Sequence, residues 1–157
     1  MVHAVKVADV MTARPMTIDP DAPIDTAVAV MHERRLRHLP VVDDTGRLVG
    51  IVTDRDLRSA MLGPAIADYL PADPSGRLRT IATDLGETRV RHVMTWSAVT
   101  IGPGAPMEQA AAVMVAHRVG CLPVVEDHRL VGIVTEHDVM KALAARLPTI
   151  KGADSLW

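Results

Sequence analysis

Aromatic side chains are nearly absent from this chain of 157 residues, which contains no Phe, one Tyr and two Trp. Proteins that bind single-stranded nucleic acid stack the bases on aromatic rings, so the composition argues against that class. The chain also lacks a cluster of Lys and Arg, and its net charge is −2, which argues against a nucleic-acid scaffold. The core must therefore be built from Val, Ile, Leu, Ala and Met.

Cysteine and long apolar runs are scarce as well. The single cysteine, Cys121, excludes an intrachain disulfide and suits a reducing compartment. No run approaches about 18 apolar residues, so no membrane-spanning helix is predicted. The N-terminus lacks the apolar stretch of a secretory signal peptide. We therefore expect a cytoplasmic protein with neither a membrane nor a nucleic acid as partner.

A long internal repeat dominates what is present. Three segments return in the same order: Met11-Thr12 as Met94-Thr95, Leu39–Val42 as Leu122–Val125, and Gly50–Asp56 as Gly132–Asp138. A repeat of this length is a folded unit. Two copies imply a pseudo-two-fold axis and two related clefts where the copies meet. Because a copy of about 55 residues supports only a marginal core, we expect the copies to share one.

Each copy predicts the same order of elements. A brief β-prone piece (16–18 and 99–101) precedes a helix with Pro23 or Pro106 in its first turn and apolar residues at helical spacing. Two β-branched strands joined by a tight turn follow, at 39–43 and 47–53 and again at 122–126 and 129–135. A closing helix begins at Thr53 or Thr135, a good N-cap followed by an acidic residue, and ends near Met61 or Leu147.

The predicted fold class is therefore α+β, with two β-α-β-β-α units packed by pseudo-two-fold symmetry into one module. The boundaries expected along the chain are 1–62 for the first repeat, 63–89 for a connector, 90–147 for the second repeat and 148–157 for a C-terminal tail. Gly63-Pro64 and the Pro, Ser and Gly residues that follow predict turns and at most short helices in the connector.

The Met-Thr segment, the Leu-Pro-Val-Val strand and the Gly-Ile-Val-Thr-x-x-Asp hairpin end resemble the CBS domain family. Two copies in tandem resemble a CBS pair, or Bateman module, of the stand-alone prokaryotic type. The resemblance covers nearly the whole chain except the connector and both ends, and all three motifs in order, twice, are a specific signal. It implies a flat homodimer, with contacts through the helices that carry Val28 and Met31 and Ala111 and Met114.

The two Thr-x-x-Asp pairs are the main candidates for binding. Each lies where a strand turns into a helix, where unpaired backbone N–H groups and the helix dipole favour an anion. The threonine hydroxyl adds a donor, and a carboxylate suits the two hydroxyls of a ribose. The structural alternative is that Thr caps the helix and Asp only decorates its first turn. In the resembled family these positions hold the ribose and phosphate of an adenine nucleotide.

The resemblance also implies which residues share a cleft. One cleft would combine residues before the first hairpin with the second closing helix: Thr17, Leu36, Arg37, His38, Thr135, His137 and Asp138. The other would combine Thr100, Val119, Gly120, Cys121, Thr53, Arg55 and Asp56. Arg37 and His38 carry cationic or donor groups where Gly120 and Cys121 carry none. We therefore expect the first cleft to favour a multiply charged phosphate chain. The second, with Arg55 only, would take a less charged ligand or stay empty.

Other candidates carry less chemistry. Met11 and Met94 are interpreted as gap-filling core residues, with ligand contact as the alternative. Trp96 lies either near the second cleft or at a surface or dimer contact. His117 and Cys121 are four apart but lack further ligands nearby, and no HExxH helix or P-loop is present, so no metal site is predicted. No base lies beside Thr53 or Thr135, so no nucleophilic residue is assigned.

The function expected from the resemblance is a non-catalytic regulatory module. It would bind AMP, ADP, ATP or a related adenosyl ligand between the repeats, require no cofactor, and act in trans on an effector protein that the sequence does not name. The alternative is a structural or protein-interaction module with unoccupied clefts. An enzyme ranks third.

Overall fold

The computed structural model describes residues 4–67 and 87–146, and for 62–67 the backbone only. The first half contains α1 (Val7–Val10), β1 (Thr12–Ala13), α2 (Ile24–Arg34), β2 (His38–Val42), β3 (Leu48–Thr53) and α3 (Asp54–Ala67). The second half contains α4 (Val90–Val93), β4 (Thr95–Trp96), α5 (Met107–His117), β5 (Cys121–Glu126), β6 (Arg129–Thr135) and α6 (Glu136–Ala144). The predicted α+β class is confirmed.

Each half supplies a short strand to the sheet of the other half. One antiparallel sheet has the order β2-β3-β4, with Ile51 opposite Thr95, and the other has the order β1-β6-β5, with Thr12 opposite Ile133. The short helices before these strands, α1 and α4, are also hydrogen-bonded to the opposite half. The N–H of Val7 donates to the carbonyl of Ala105, and that of Val90 donates to the carbonyl of Ala22.

Both hairpins turn as their polar residues require. In the first, one carboxylate oxygen of Asp43 accepts from the N–H groups of Thr45 and Arg47, and Gly46 has a φ of 80°. In the second, Asp127 and His128 have φ values of 49° and 64°. Positive φ at both central residues matches the right-handed twist of the flanking strands.

Two equivalent cores lie behind the two sheets. The first includes Ile24, Ala27 and Met31 of α2 and also Val90 and Met94 from the second half. The second includes Met107, Ala110 and Met114 of α5 and also Val7 from the first half. The copies therefore share core residues, as expected, but in two separate cores with a small cluster of Ile51, Cys121 and Ile133 between them.

Several local expectations differ from the structure. Pro23 and Pro106 are N-cap residues in extended conformation, one position before the first helical turn. The β-prone pieces form only single parallel bridges, from Ile18 to Val41 and from Ile101 to Val124. Helix α3 continues through Gly63-Pro64 to Ala67, so that pair does not end it. The tail and most of the connector lie outside the described residues.

Met31 and Met114 are core residues, with 5% and 6% of their surface exposed, so a contact through their helices would use other faces of α2 and α5. Helical spacing alone does not say which face of α2 or α5 is covered. The exposed large apolar side chains of the neighbouring helices α5 and α6 are instead Val115, Met140 and Leu143.

None of the helices in the described part of the chain is long and apolar enough to span a bilayer.

Candidate functional site

Each Thr-x-x-Asp pair forms a reciprocal cap at the start of its helix. The N–H and Oγ1 of Thr53 donate to Oδ2 of Asp56 at 2.9 and 2.8 Å, and the N–H of Asp56 donates back to Oγ1 of Thr53 at 3.2 Å. At α6, the N–H and Oγ1 of Thr135 donate to Oδ2 of Asp138 at 2.8 and 3.0 Å. Oδ2 of each carboxylate is thus engaged in the cap at the start of its helix. The hydrogen bonds of these two caps do not engage Oδ1 of either carboxylate.

One cavity between the repeats, here called the Thr53 cleft, has a volume of about 470 Å³. It is lined by the start of α3, by β4 and the residues after it, and by the segment between α5 and β5. Six of the seven residues predicted for this cleft line it: Thr53, Arg55, Asp56, Val119, Gly120 and Cys121. Thr100 instead lines a separate cavity of about 490 Å³ with Arg47 and His128.

The second cavity, here called the Thr135 cleft, has a volume of about 330 Å³. Five of the residues predicted for it line it: Leu36, Arg37, His38, Thr135 and His137. Thr17 and Asp138 are not among its lining residues. The exchanged strands add lining residues that the sequence did not predict. Thr12 of β1 lines this cleft, and Thr95 of β4 lines the Thr53 cleft.

The two clefts meet at a junction formed by Arg37, His38, Gly120 and Glu136, which line both. The backbone brings these residues together in a symmetric way. The N–H of Asp54 donates to the carbonyl of Arg37 at 2.8 Å, and the N–H of Glu136 donates to the carbonyl of Gly120 at 2.9 Å. Each segment before a hairpin is thus bound to the closing helix of its own repeat.

Arginine is distributed differently from the sequence expectation. Four arginines line the Thr53 cleft: Arg37, Arg55, Arg58 and Arg118. Only Arg35 and Arg37 line the Thr135 cleft. The expectation that the second cleft keeps Arg55 alone is therefore wrong, because Arg37 reaches both clefts and α3 and the end of α5 add two more.

Acidic groups offset part of this charge. Asp54, Asp56 and Glu136 line the Thr53 cleft, and Asp54 forms a 2.9 Å ion pair with Arg58. Glu136 also lines the Thr135 cleft. Arg37, Arg55 and Arg118 are therefore the lining arginines of the Thr53 cleft that the described ion pairs leave available to a ligand.

Arg35 and Arg118 occupy equivalent positions in the two copies. Both follow the last turn of a helix and adopt the left-handed conformation, with φ values of 53° and 54°. Sequence reasoning missed them as site residues. The signal that could have found them is the repeat itself, since an arginine recurs at this position, where a glycine or asparagine is commoner after a helix.

Burial changes the pKa of His38 at the junction and of Cys121 in the Thr53 cleft. It lowers the pKa of His38 below 6.5, with Glu136 opposing and Arg37 reinforcing the shift. Burial, with a smaller contribution from Glu136, raises the pKa of the Cys121 thiol to about 12. His38 is therefore predominantly neutral and Cys121 protonated at neutral pH.

The remaining candidates lie away from the cleft chemistry. Met94 is buried in the first core and Met11 packs against the second, which confirms their interpretation as core residues. Trp96 is exposed, and its indole N–H donates to the carbonyl of Arg91. Within residues 4–67 and 87–146, no cluster of three or more His, Cys, Asp and Glu side chains is arranged to hold a metal ion.

Known proteins resemble this chain along nearly its whole length. It is 36% identical over 140 residues to a CBS domain-containing protein of Dictyostelium discoideum, covering 88% of this chain and 91% of that one. It spans 24% of the homoserine O-acetyltransferase of Methanococcoides burtonii, and 24% of the inosine-5'-monophosphate dehydrogenase of Methanocaldococcus jannaschii. The enzymes among these relatives are thus matched over about a quarter of their length.

Two solved structures with bound ligands have the same fold. The CBS domain pair of protein MJ0100, in complex with 5'-methylthioadenosine and S-adenosyl-L-methionine, superposes with a TM-score of 0.73 at 26% identity, covering 92% of this chain and 99% of that one. CBSX2, a CBS-pair protein of Arabidopsis thaliana, in complex with AMP, superposes with a TM-score of 0.71 at 28% identity, covering 89% and 96%. The CBS domain model matches residues 7–63 and 90–145, and the chain therefore belongs to the CBS domain family as a tandem pair.

Proposed function

We propose that this chain is a non-catalytic regulatory module that binds an adenosyl ligand, with AMP, ADP and ATP as the first candidates, between its two CBS repeats. The observation that carries the proposal is the Thr53 cleft. It combines a helix N-terminus, a carboxylate with a free oxygen outside its capping box, and three available arginines in one cavity. Its volume of about 470 Å³ falls within the range of small-molecule sites.

Each part of a nucleotide has a counterpart in this cleft. Oδ1 of Asp56 would accept hydrogen bonds from the ribose hydroxyls, since the hydrogen bonds from Thr53 engage only Oδ2. The arginines and the first turn of α3 attract the phosphate. The half-buried Ala98 and Val99 line the cleft and would offer apolar surface to the base. The bound ligands of MJ0100 and CBSX2 share an adenosyl group, which supports the same ligand class here.

Regulation would follow from the position of the ligand. Both clefts are lined by residues of both repeats, so a bound ligand favours whichever angle between the repeats gives it the best contacts. The two sheets meet through the small cluster of Ile51, Cys121 and Ile133, a limited contact that permits a change of angle between the sheets while the exchanged strands β1 and β4 stay paired. We propose that a separate effector protein recognises the resulting arrangement.

A thermal-shift panel of adenosine, AMP, ADP, ATP and S-adenosylmethionine tests the proposal. A ligand at about a hundred times its Kd is expected to raise the unfolding free energy by about 2.7 kcal/mol. Arg55→Ala, in the Thr53 cleft, is expected to reduce the shift produced by phosphorylated ligands. Arg34→Ala is the matched control, because Arg34 is an exposed arginine of α2 that lines neither cleft.

The alternative is an interaction module with unoccupied clefts. The capping boxes favour it to the extent that the Thr and Asp side chains already have partners. It predicts that no adenosyl compound at millimolar concentration moves the melting temperature. It also predicts that Asp56→Ala and Asp138→Ala leave assembly and partner binding intact.

We also propose that two modules associate into a homodimer. The support is the apolar surface on the neighbouring helices α5 and α6, where Val115, Met140 and Leu143 are 79%, 64% and 53% exposed. Light scattering after gel filtration is expected to give twice the chain mass for the wild type and a lower mass for Val115→Asp. A Thr26→Asp variant on the exposed face of α2 serves as the control and should leave the mass unchanged.

A further inference from the structure

We infer that Arg37 serves both clefts and that a phosphate-bearing ligand in one cleft weakens the binding of a second such ligand in the other. This inference rests on the proposed function and concerns how the two clefts are coupled. It starts from the fact that Arg37 is the only arginine that lines both clefts in the described part of the chain. Its neighbours Arg35 and Arg118 each line one of the two.

The second repeat has no counterpart of Arg37. The equivalent residue is Gly120, whose carbonyl makes the same hydrogen bond to the following helix. A Cβ at Gly120 would lie 3.3 Å from Oε1 of Glu136 and 3.8 Å from Nε2 of His38. The junction therefore has little room for a longer side chain there. The junction therefore contains one guanidinium, that of Arg37, whereas exact two-fold symmetry would give two.

The other junction residues do not replace this cation. Burial lowers the pKa of His38, so its ring is predominantly neutral at neutral pH. Glu136 is an anion that borders both clefts. A guanidinium makes its strongest contact as a bidentate pair with one phosphate. A phosphate that arrives in the second cleft meets an engaged Arg37, a neutral His38, the charge of Glu136 and the first phosphate.

The coupling is therefore electrostatic and depends on the ligand's charge. Two AMP molecules are expected to bind about tenfold less favourably than two independent clefts would allow, within the usual range of coupling between sites. An adenosyl ligand without phosphate, such as 5'-methylthioadenosine, is expected to show no such loss. Because Arg37 is exposed, the effect is expected to be largest at low ionic strength.

Single-cleft variants make this measurable. Thr12 and Thr95 are equivalent exposed residues of β1 and β4, and each lines one cleft. Thr12→Trp fills the Thr135 cleft and Thr95→Trp fills the Thr53 cleft. Calorimetry with AMP then gives the association constant of each cleft alone. In the wild type, the overall constant for two AMP molecules is expected to be about tenfold smaller than the product of these two constants.

Three arginine variants assign the effect. Arg37→Gln is expected to weaken AMP binding in both single-cleft proteins and to bring the overall constant of the two-cleft protein closer to the product of the two single-cleft constants, because only the repulsion between the phosphates then couples the clefts. Arg35→Gln should weaken only the Thr135 cleft, and Arg118→Gln only the Thr53 cleft. Should a tryptophan variant fold poorly, the methyl NMR signals of Met16 and Val99 report the occupancy of the Thr135 and Thr53 clefts in the wild type.

The inference is overturned if the overall constant for two AMP molecules in the wild type equals the product of the two single-cleft constants. It is also overturned if Arg37→Gln weakens AMP binding in only one of the two single-cleft proteins. An equal loss with 5'-methylthioadenosine would also overturn it, because the coupling would not depend on charge. Failure of AMP and all other adenosyl ligands to bind either cleft is a different result, which overturns the proposed function as well.

Discussion

Two glycines decide how closely the exchanged strands approach their sheets. A Cβ on Gly50 would collide with the carbonyl oxygen of Thr95 on β4, and one on Gly132 would collide with the sulfur of Met11. A backbone carbonyl in a sheet cannot move aside, whereas the end of a methionine side chain can. Gly50 is therefore the less replaceable of the two.

We expect Gly50→Ala to lower the unfolding free energy by about 1–3 kcal/mol, as overpacking does, and Gly132→Ala to lower it less. Gly104→Ala is the matched control, since a Cβ there meets no atom within 4 Å. Urea denaturation ranks the three variants by their unfolding free energies. Equal stability of Gly50→Ala and Gly104→Ala would show that β4 is displaced without cost.

His38 makes stability depend on pH. Burial lowers its pKa in the folded state below 6.5, so in the window below 6.5 the unfolded chain binds a proton that the folded chain does not. The contribution is present above that value and is lost as the pH falls toward the folded-state pKa. The unfolding free energy is expected to drop between about pH 7.5 and about pH 5.5.

The dependence is expected to be weaker in His38→Gln and unchanged in His32→Gln, whose side chain is exposed on α2. Denaturant melts at the two pH values measure it. If the unfolding free energy changes with pH equally in the wild type and in His38→Gln, the pH dependence belongs to other groups.

At the scale of elements, the capping boxes anchor the first turns that line the clefts. Asp138→Ala removes the acceptor of two hydrogen bonds at the start of α6. We expect a loss of about 1 kcal/mol, typical of a cap, with faster amide exchange in the first turn of α6. Lys141→Ala, on an exposed position of the same helix, is the control. An unchanged melting curve for Asp138→Ala would mean that packing alone holds this turn.

Local patterns predicted the elements whose signals are local. The helical spacing of Ile24, Ala27 and Met31 and the β-branched runs of the hairpins led to the right elements at nearly the right bounds. Strands β1 and β4 were missed because two residues carry no period. Their pairing depends on β6 and β3, which lie far away in the sequence, so no local window contains the information.

The same distinction applies to the clefts. Thr53, Asp56 and Gly120 were found because they belong to repeated motifs, and the structure brings them together. The sharing of Arg37 was not predictable, because the repeat alone does not reveal that two clefts open onto one junction. Arg58 and Glu136 were missed since each is an ordinary first-turn or surface residue until the opposite repeat is placed against it.

At the scale of the molecule, the unit that folds differs from the unit that repeats. The first core needs Val90 and Met94, and the sheet behind it needs β4. We therefore expect a fragment of residues 14–96 to unfold cooperatively, and a fragment of residues 1–62 to show no cooperative transition. Thermal melts followed by circular dichroism distinguish the two. A cooperative melt of 1–62 would support the boundaries drawn along the sequence, which remain a prediction.

The pairing of β1 with β6 also has a consequence for the order of events in the cell. Thr12 is translated long before its partner Ile133 has been made. Until then the edge that will receive β1 does not exist, and Val7 has no core to enter. The segment that forms β1 therefore becomes native only after β6 has been synthesised, so its folding is delayed although its translation is not.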